Sequence, residues 1–386
     1  MYICIDRVQF TVIVTQGDFC SFIYLHSIQW PLSPDFDNPP KYGIAPSKAR
    51  NLRLTTQDGV EIGAWHILPD GFDALKPSMI TSGQKLLSEE DYDRSLSQHP
   101  TIIYLHGNAA NRAAPFRIAS YAQFTARLQA NVIAIDYRGF GDSAGAPSQE
   151  GLILDAMAAW QWVQTKRAKI GDALLPGEGV FVIGQSLGTG VASQMSFRLF
   201  QAGTPPQGVV LIAPYRSLRQ LMSGYRLGGF LPILAPMHYL PFSKQILDWG
   251  LQTTFDSEEV LSSLYASLRG RKGSEMVTNG WPHLVISHAS DDSIIPSNQG
   301  EQLYAAIVSA ATNSRTAHNI SGPLTEPSLI IPGWAQIHHH RINRGGRDTS
   351  LALVKTQNGG HNTVGEGVVD IVREVMRQDG SALGFS

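Results

Sequence analysis

Short runs of apolar residues recur along the chain, separated by longer segments in which apolar positions lie three and four residues apart. An uninterrupted apolar run of about four to eight residues is typical of a buried strand, and the wider spacing is typical of an amphipathic helix. Strands are predicted at residues 101–105, 132–137, 180–183, 209–213, 284–288 and 351–354. Helices are predicted near 116–129 and 149–168, after residue 188, at 297–311 and beyond residue 363. This alternation predicts right-handed βαβ units and an α/β fold, with a mostly parallel central sheet and helices on both faces.

A hairpin is predicted ahead of the alternating region. Residues 52–56 and 60–68 flank an Asp58-Gly59 turn, which is typical of two antiparallel strands. A polar loop then leads to the strand at 101–105. Residues 1–50 form an N-terminal extension whose proline-rich run excludes regular structure, and we expect it to lie over the surface of the domain.

The remaining pattern divides one large domain into two parts of a core, residues 51–213 and 282–386. Between them, residues 214–281 crowd apolar side chains among glycines and prolines, which predicts a lid or cap insertion beside the edge of the sheet. Residues 312–349 are polar and have no clear period, which predicts a surface insertion. With 386 residues and 43% hydrophobic content, the chain is long enough to bury such a core within a single domain.

The charge balance implies neither a nucleic acid nor an anionic membrane as a partner. The chain has 30 Lys and Arg residues against 32 Asp and Glu residues, a formal net charge of −2. No field of this kind attracts nucleic acid or an anionic membrane. Its two cysteines, Cys4 and Cys20, cannot make a disulfide framework and suit a reducing compartment.

Two apolar stretches near the N-terminus, residues 8–14 and 19–25, are separated by polar and charged residues. Neither approaches the roughly 20 apolar residues that a membrane-spanning helix needs, and the leading residues are not basic as in a signal peptide. We therefore expect an intracellular protein, either cytoplasmic or attached peripherally to an internal membrane. The side chains available for such peripheral contact are Phe19, Phe22, Ile23 and Tyr24.

The strand at 180–183 runs directly into Gly184-Gln185-Ser186-Leu187-Gly188, a G-x-S-x-G pattern that precedes a predicted helix. Such a strand–turn–helix is a nucleophile elbow, in which the serine is held above the edge of the sheet. Small residues two positions before and after the serine let the two backbones approach without a Cβ clash. The sequence therefore predicts Ser186 as a catalytic nucleophile.

A serine nucleophile needs a base to remove its proton and a carboxylate to orient that base. His361 follows the last predicted strand in a loop that begins with two glycines, and Asp292 follows the strand that ends at His288. The chain order Ser186, Asp292, His361 is the order of an α/β-hydrolase triad and differs from the other serine-triad orders. We therefore predict His361 as the base and Asp292 as the residue that orients it.

The oxyanion of the intermediate needs two backbone N–H donors. One is predicted at Leu187, directly after the nucleophile, and the other at Asn108 or Ala109, in the loop after the strand at 101–105.

Several segments together resemble the α/β-hydrolase superfamily, and within it the ABHD12-type serine lipases and the Bem46-like branch. Residues 106–112 (HGNAANR) resemble the family's H-G-N-A-x-x-R segment, and residues 136–143 (DYRGFGDS) resemble its D-Y-R-G-x-G-x-S segment. The elbow and the segments at 213–215, 288–296 and 359–362 continue the match, which covers about residues 50–310 and 350–380. In the family pattern D-x-x-[VI]-P, Asp292 has the required phase, whereas Asp291 lies one residue out of phase. Family members usually carry an N-terminal membrane anchor, for which this chain shows no convincing counterpart.

The resemblance implies a serine hydrolase that cleaves carboxylic esters of lipids, such as monoacylglycerols or lysophospholipids. A peptidase or thioesterase on the same triad stays an alternative because the fold does not fix the acyl group, as does a non-catalytic binding protein of the same fold. No cofactor is expected. No metal site is expected either, since the consecutive residues His338-His339-His340 cannot share one face of a strand or helix, and a solvated loop is predicted there.

Overall fold

The computed structural model describes residues 2–5, 8–11, 24–72, 87–171, 174–224, 254–267, 282–312, 326–344 and 347–377. The strands are β1 (Tyr2–Ile5), β2 (Val8–Thr11), β3 (Ala49–Thr55), β4 (Glu61–Ile67), β5 (Thr101–Leu105), β6 (Asn131–Ile135), β7 (Val180–Gln185), β8 (Gly208–Ile212), β9 (His283–Ala289), β10 (Leu329–Ile331), β11 (Ala335–Arg344) and β12 (Arg347–Thr356). The helices are α1 (Glu89–Gln98), α2 (Pro115–Arg127), α3 (Gln149–Lys169), α4 (Leu187–Gln201), α5 (Leu218–Gly224), α6 (Ser257–Ala266), α7 (Asn298–Thr312) and α8 (Glu366–Met376).

Ten of these strands form one sheet in the order β10-β11-β12-β9-β8-β7-β5-β6-β4-β3. The six central strands, from β12 to β6, are parallel, and the pairs at both edges are antiparallel. Within the described part of the chain, strands β1 and β2 pair with each other in a separate two-stranded sheet. The predicted α/β fold with a mostly parallel sheet is confirmed.

The order of the strands reverses next to β5. From β5 the chain crosses to β6 on one side, and it then returns to place β7 on the other side. In open parallel sheets, ligands bind in the crevice at such a switch point, outside the carboxyl ends of the two strands. The fold therefore points to the loops after Leu105 and Gln185 as the place for a functional site.

Each central strand buries both of its faces, as its continuous apolar sequence predicts. Along β7, Val180 and Val182 pack in the cluster that contains side chains of α3 and α4, whereas Phe181 and Ile183 pack in the cluster that contains side chains of α2 and α8. The alternation follows from the two-residue repeat of a strand. Two apolar layers thus hold the sheet rigidly beneath the loops at its carboxyl edge.

One helix was missed in the sequence analysis, where a polar loop was expected before residue 101. Helix α1 begins at a capping box, in which Ser88 accepts a hydrogen bond from the backbone N–H of Asp91, and the carboxylate of Asp91 accepts one from the backbone N–H of Ser88. The S-x-x-D pattern is the signal for this start. Of its four buried side chains, two are polar, Asp93 and Ser95, so the hydrophobic period of the helix is weak.

The predicted lid falls largely outside the described residues, which exclude 225–253 and 268–281. The described part from 254 to 267 contains α6, whose Leu261, Leu264 and Tyr265 are buried in the cluster shared with α4. This part of the predicted insertion is therefore core. Helix α6 begins after Asp256, whose side chain caps it by accepting a hydrogen bond from the backbone N–H of Glu259.

The predicted surface insertion at 312–349 is partly wrong, because β10, β11 and the beginning of β12 lie in this range. They form the antiparallel edge of the main sheet. An edge pair of this kind has one face open to water, so its sequence is more polar than that of a central strand and its period is harder to see. Residues 338–340 lie within β11 and not in a solvated loop, and His338 is buried.

The N-terminal extension contains a short 3₁₀ helix at Pro39–Tyr42 and otherwise irregular chain between residues 24 and 48. Tyr24 is fully buried, so it is not available for the membrane contact that was predicted for it. The other three predicted contact residues, Phe19, Phe22 and Ile23, lie outside the described residues. Among the helices that the structure describes, none combines the length and the apolar character needed to cross a bilayer.

Candidate active site

Ser186 lies on the sharp turn between β7 and α4. Its φ of 52° and ψ of −119° are strained for a residue with a side chain. A Cβ on Gly184 would lie 2.3 Å from the carbonyl oxygen of Gly188, and a Cβ on Gly188 would lie 2.0 Å from the carbonyl oxygen of Leu105. Glycine at 184 therefore lets β7 and α4 approach each other, and glycine at 188 lets the start of α4 lie against the end of β5.

The structure brings the three predicted triad residues into one hydrogen-bonded chain. His361 Nε2 lies 2.9 Å from Ser186 Oγ, and His361 Nδ1 lies 2.9 Å from Asp292 Oδ2. The serine lies at the end of β7, the aspartate after β9 and the histidine after β12, all at the carboxyl edge of the sheet. This arrangement lets the imidazole accept the serine proton on one nitrogen while the carboxylate holds the other.

The carboxylate of Asp292 is buried and fully hydrogen-bonded. Its Oδ1 accepts from the backbone N–H groups of Ile294 and Ile295 at 2.8 and 2.9 Å. Burial works to raise the pKa of Asp292, but hydrogen bonds from His288 and His361 outweigh it and hold the pKa well below its ordinary value. The residue is therefore ionised at neutral pH, as an orienting carboxylate must be.

His288 is a site residue to which the sequence analysis assigned no role. It is buried at the end of β9, with Nε2 at 2.9 Å from the backbone oxygen of Ile295 and 3.4 Å from Asp292 Oδ2. It supports both the turn and the carboxylate. Its position at i−4 from Asp292 carried no recognisable pattern.

Asp291, the alternative carboxylate, has a different function in the structure. It is exposed, and its Oδ1 and Oδ2 accept hydrogen bonds from the backbone N–H groups of Gly360 and Gly359 at 2.8 and 3.3 Å. Both glycines have positive φ values, which allows the sharp turn before His361. The two neighbouring acidic residues thus make different contacts: Asp292 contacts the imidazole of His361, and Asp291 holds the backbone of the loop that carries His361.

A second tie to this loop comes from the elbow. Gln185 Nε2 donates to the backbone oxygen of His361 at 3.3 Å, while Gln185 Oε1 accepts from the hydroxyl of Tyr104 at 2.5 Å. All three groups lie at the carboxyl edge of the sheet. The side chain between the two elbow glycines therefore links the histidine loop to β5.

The loop after β5 passes directly beside the serine. A Cβ on Gly107 would lie 3.1 Å from Ser186 Cβ, so a larger residue would push the loop away. Leu187 is the first residue of α4, and its N–H has no acceptor within the helix. Of the two alternatives for the second oxyanion donor, the N–H of Ala109 already donates to Asn108 Oδ1 at 3.1 Å. The backbone N–H of Asn108 stays a prediction as the second donor, together with that of Leu187.

The N-terminal extension covers the outer side of the same loop. Asn108 Oδ1 accepts a hydrogen bond from Leu25 N at 2.9 Å, and Ala110 N donates to the backbone oxygen of Ile28 at 2.8 Å. The indole of Trp30 stacks on the ring of Phe116, with centroids 6.3 Å apart. The extension therefore forms part of the wall around the site, which the sequence analysis did not foresee.

The D-Y-R-G-x-G-x-S segment stabilises the base of this loop. Arg112 is fully buried, and its backbone N–H and Nη1 donate to Asp136 at 2.7 and 2.6 Å. Nη1 also lies 2.7 Å from Asp142 Oδ1.

Across the residues that the structure describes, no group of three or more acidic, His or Cys side chains is arranged to hold a metal ion.

A parallel sheet with a switch point, a strained serine between β7 and α4, and a histidine within hydrogen-bonding distance of it define the class of serine hydrolases with the α/β-hydrolase fold. A family model described as "alpha/beta hydrolase fold" matches residues 100–230. The solved alpha-beta hydrolase of Vibrio vulnificus aligns with a TM-score of 0.51 at 14% identity, over 78% of this chain and 85% of that one. This likeness concerns the fold alone.

Curated relatives are more similar in sequence. The "Lysophosphatidylserine lipase ABHD12" of Danio rerio is 30% identical over 299 residues, which are 77% of this chain and 68% of that protein. The protein of the same name from Rattus norvegicus is 30% identical over 298 residues, or 77% of this chain and 65% of that protein. The chain belongs to the ABHD12-type family of α/β-hydrolases. About a third of the length of these relatives lies outside the match.

Proposed function

We propose that this chain hydrolyses carboxylic esters of lipids through an acyl-enzyme formed on Ser186. The observation that carries the proposal is the hydrogen-bonded chain from Ser186 through His361 to Asp292, with both contacts at 2.9 Å. The similarity to lysophosphatidylserine lipases supports a lysophospholipid or monoacylglycerol as the substrate class.

In the proposed reaction, Ser186 Oγ attacks the ester carbonyl carbon while its proton moves to His361 Nε2. The carbonyl oxygen becomes an oxyanion that accepts hydrogen bonds from the backbone N–H groups of Leu187 and Asn108. As the carbon–oxygen bond breaks, the alcohol leaves with the proton from His361. Water then attacks the acyl-serine with His361 as base, which releases the carboxylic acid and restores the serine hydroxyl.

The first test is covalent labelling with an alkyl fluorophosphonate. We expect labelling of the wild-type protein and none of Ser186→Ala, because the probe needs an activated serine. Ser290→Ala is a matched control, since Ser290 is another serine in a loop at the same edge of the sheet and is expected to leave labelling unchanged. Absence of labelling in folded wild-type protein would favour the non-catalytic alternative.

The second test identifies the acyl substrate. Initial rates are compared for lysophosphatidylserine, lysophosphatidylcholine and monoacylglycerol of one acyl chain, with an acyl-CoA and a peptide amide as competitors. The proposal predicts the highest kcat/KM for one of the oxygen esters and activity on p-nitrophenyl esters beyond the shortest chains. A higher kcat/KM on the thioester or the amide would favour a thioesterase or a peptidase instead.

Peripheral contact with a lipid surface is part of this proposal. The extension exposes Ile28, Trp30 and Leu32, with 53%, 49% and 79% of their surface accessible, and it contacts the loop beside the serine. Co-sedimentation with phosphatidylcholine vesicles is expected for the wild-type protein and reduced for Trp30→Ser. Equal sedimentation of both proteins would argue against contact through this segment. The intracellular location expected from the sequence stays a prediction, and fluorescence microscopy of a tagged protein tests it.

A further inference from the structure

Arg117, in the first turn of α2, is a buried cation that forms no direct ion pair in the described part of the chain. Burial raises the pKa of the Asp136 carboxylate, and the charge of Arg117 opposes that rise only from a distance. Arg117 is 1% exposed, and its Nε and Nη1 have no hydrogen-bond partner among the described residues. Arg112, five positions earlier, is equally buried but pairs with the carboxylates of Asp136 and Asp142. Buried N–H groups of a guanidinium that lack a hydrogen-bond partner are costly. The retention of Arg117 beside the candidate site therefore calls for an explanation.

The contacts of Arg117 are with the oxyanion loop itself. Nη2 donates to the backbone oxygens of Gly107 and Ala109, at 3.0 and 2.7 Å. The oxygen of Gly107 is also within 2.6 Å of His106 Nδ1. Burial, followed by the Arg117 charge, holds the pKa of His106 well below its ordinary value. The imidazole is therefore neutral, and it serves as a second donor to the same carbonyl.

The direction of these two carbonyls fixes the direction of the N–H groups that share their peptide bonds. In a trans peptide, the C=O and the following N–H point in opposite directions. The peptide between Ala109 and Ala110 shows the result: its oxygen contacts Arg117, and its N–H donates to Ile28 on the far side. In the same way, the N–H of Asn108 points away from Arg117. Gly107, the residue before it, is the one whose Cβ would meet Ser186.

We propose that Arg117 is a positioning residue for the oxyanion hole: its guanidinium holds the peptide between Gly107 and Asn108 so that the Asn108 N–H donates to the oxyanion formed at Ser186. The inference rests on the proposed function of this site. The two hydrogens of one terminal nitrogen, Nη2, are shared between the two carbonyl oxygens, so a single guanidinium orients both peptides. Its positive charge also polarises the peptide in a region of low dielectric, and this strengthens hydrogen bonding by the N–H at the other end.

The test separates transition-state stabilisation from substrate binding. Arg117→Met removes the charge and both hydrogen bonds while keeping much of the side-chain volume. Arg127→Met, in the last turn of the same helix, removes a half-buried arginine that pairs with Glu366 and Asp370 of α8, and is the matched control. For each protein, kcat and KM are measured on a p-nitrophenyl ester. The affinity for an alkyl trifluoromethyl ketone, which forms an oxyanion on the serine, is compared with that for the corresponding alcohol, which does not.

For Arg117→Met, we expect kcat to fall about 100-fold with KM changed less than about threefold, because an oxyanion donor acts mainly in the transition state. Affinity for the ketone is expected to fall by about the same factor, and affinity for the alcohol to stay unchanged. Arg117→Lys retains the charge and is expected to recover at least about a tenth of the wild-type kcat. Arg127→Met is expected to behave as the wild-type protein.

Equal loss of ketone and alcohol affinity, or no loss of either, would overturn the role of Arg117. Should Arg117→Met fail to fold, the ratio of ketone to alcohol affinity is measured on Arg117→Gln, whose amide satisfies one carbonyl without a charge. A ratio lowered about 10-fold or more supports the proposal, and a smaller change contradicts it. A wild-type protein that neither cleaves the ester nor reacts with the fluorophosphonate contradicts the proposed function instead.

Discussion

The two neighbouring carboxylates, Asp291 and Asp292, provide a matched pair for testing the triad. In Asp292→Asn, the backbone N–H groups of Ile294 and Ile295 both donate to the Oδ1 position, at 2.8 and 2.9 Å. The amide oxygen must occupy that position, since turning it away leaves two N–H groups without their acceptor, at about 1–3 kcal/mol each. The amide NH₂ therefore takes the Oδ2 position, where it faces His361 Nδ1.

This orientation reverses the tautomer of the base. With a donor opposite Nδ1, the neutral imidazole of His361 carries its proton on Nε2, facing Ser186 Oγ, and cannot accept the serine proton. A comparable aspartate-to-asparagine change in the triad of a serine protease lowers kcat by about 10⁴-fold. We expect a loss of the same order here, corresponding to about 5 kcal/mol of activation free energy.

Asp291→Asn is the control for charge removal at the same turn. Its amide oxygen can still accept from Gly360 N, at the position of the present 2.8 Å contact, and only the longer 3.3 Å contact with Gly359 is lost. We expect kcat within about tenfold of the wild-type value, because the loss of one weak hydrogen bond is worth only about 0.5–1.5 kcal/mol.

The assay is steady-state hydrolysis of a p-nitrophenyl ester, with circular dichroism melting to establish that both variants are folded. If folded Asp292→Asn retained more than about a tenth of the wild-type kcat, or if Asp291→Asn showed the larger loss, the argument from the tautomer would be refuted. The second result would make Asp291 the orienting carboxylate.

Two further predictions concern stability. Gly188→Ala is expected to prevent folding or to cost about 3 kcal/mol or more, because its Cβ would lie 2.0 Å from the carbonyl oxygen of Leu105. Gly365→Ala, which meets nothing within 4 Å, is expected to cost less than about 1 kcal/mol in urea unfolding; similar losses for both would contradict the packing argument. Burial lowers the pKa of His66 to about 3, below its unfolded value of about 6.5, so the unfolded state binds more protons between these two pH values. Stability is therefore expected to fall as pH drops below about 6.5, and by pH 5 this one group accounts for about 2 kcal/mol. Urea unfolding of the wild-type protein and of His66→Gln at pH 7.5 and 5 checks this: the variant is expected to show a smaller loss, and an equal loss in both proteins would exclude His66 as its source.

The central strands could be predicted because they are buried on both faces, which leaves a continuous apolar run in the sequence. Strand β5 occupies residues 101–105 as predicted, and the hairpin of β3 and β4 surrounds the expected Asp58-Gly59 turn. The polar edge strands and helix α1 were missed for the opposite reason. Their exposed faces carry polar side chains, so the hydrophobic period is weak or interrupted.

By itself, the sequence determined the α/β fold and the candidate triad, because the strand ends of a parallel sheet lie along one edge and each of the three residues follows a strand. Only the tertiary structure decided the contacts between residues far apart in the chain, such as Asp292 and His361, which are 69 positions apart, or Ser186 and His361, which are 175 positions apart. The side chain of Asp292 points to the imidazole, as its phase in the D-x-x-[VI]-P pattern predicts, whereas the contact of Asp291 with the backbone N–H groups before His361 is seen only in the structure. The contact of Arg117 with the oxyanion loop depends in the same way on how α2 packs against the loop after β5.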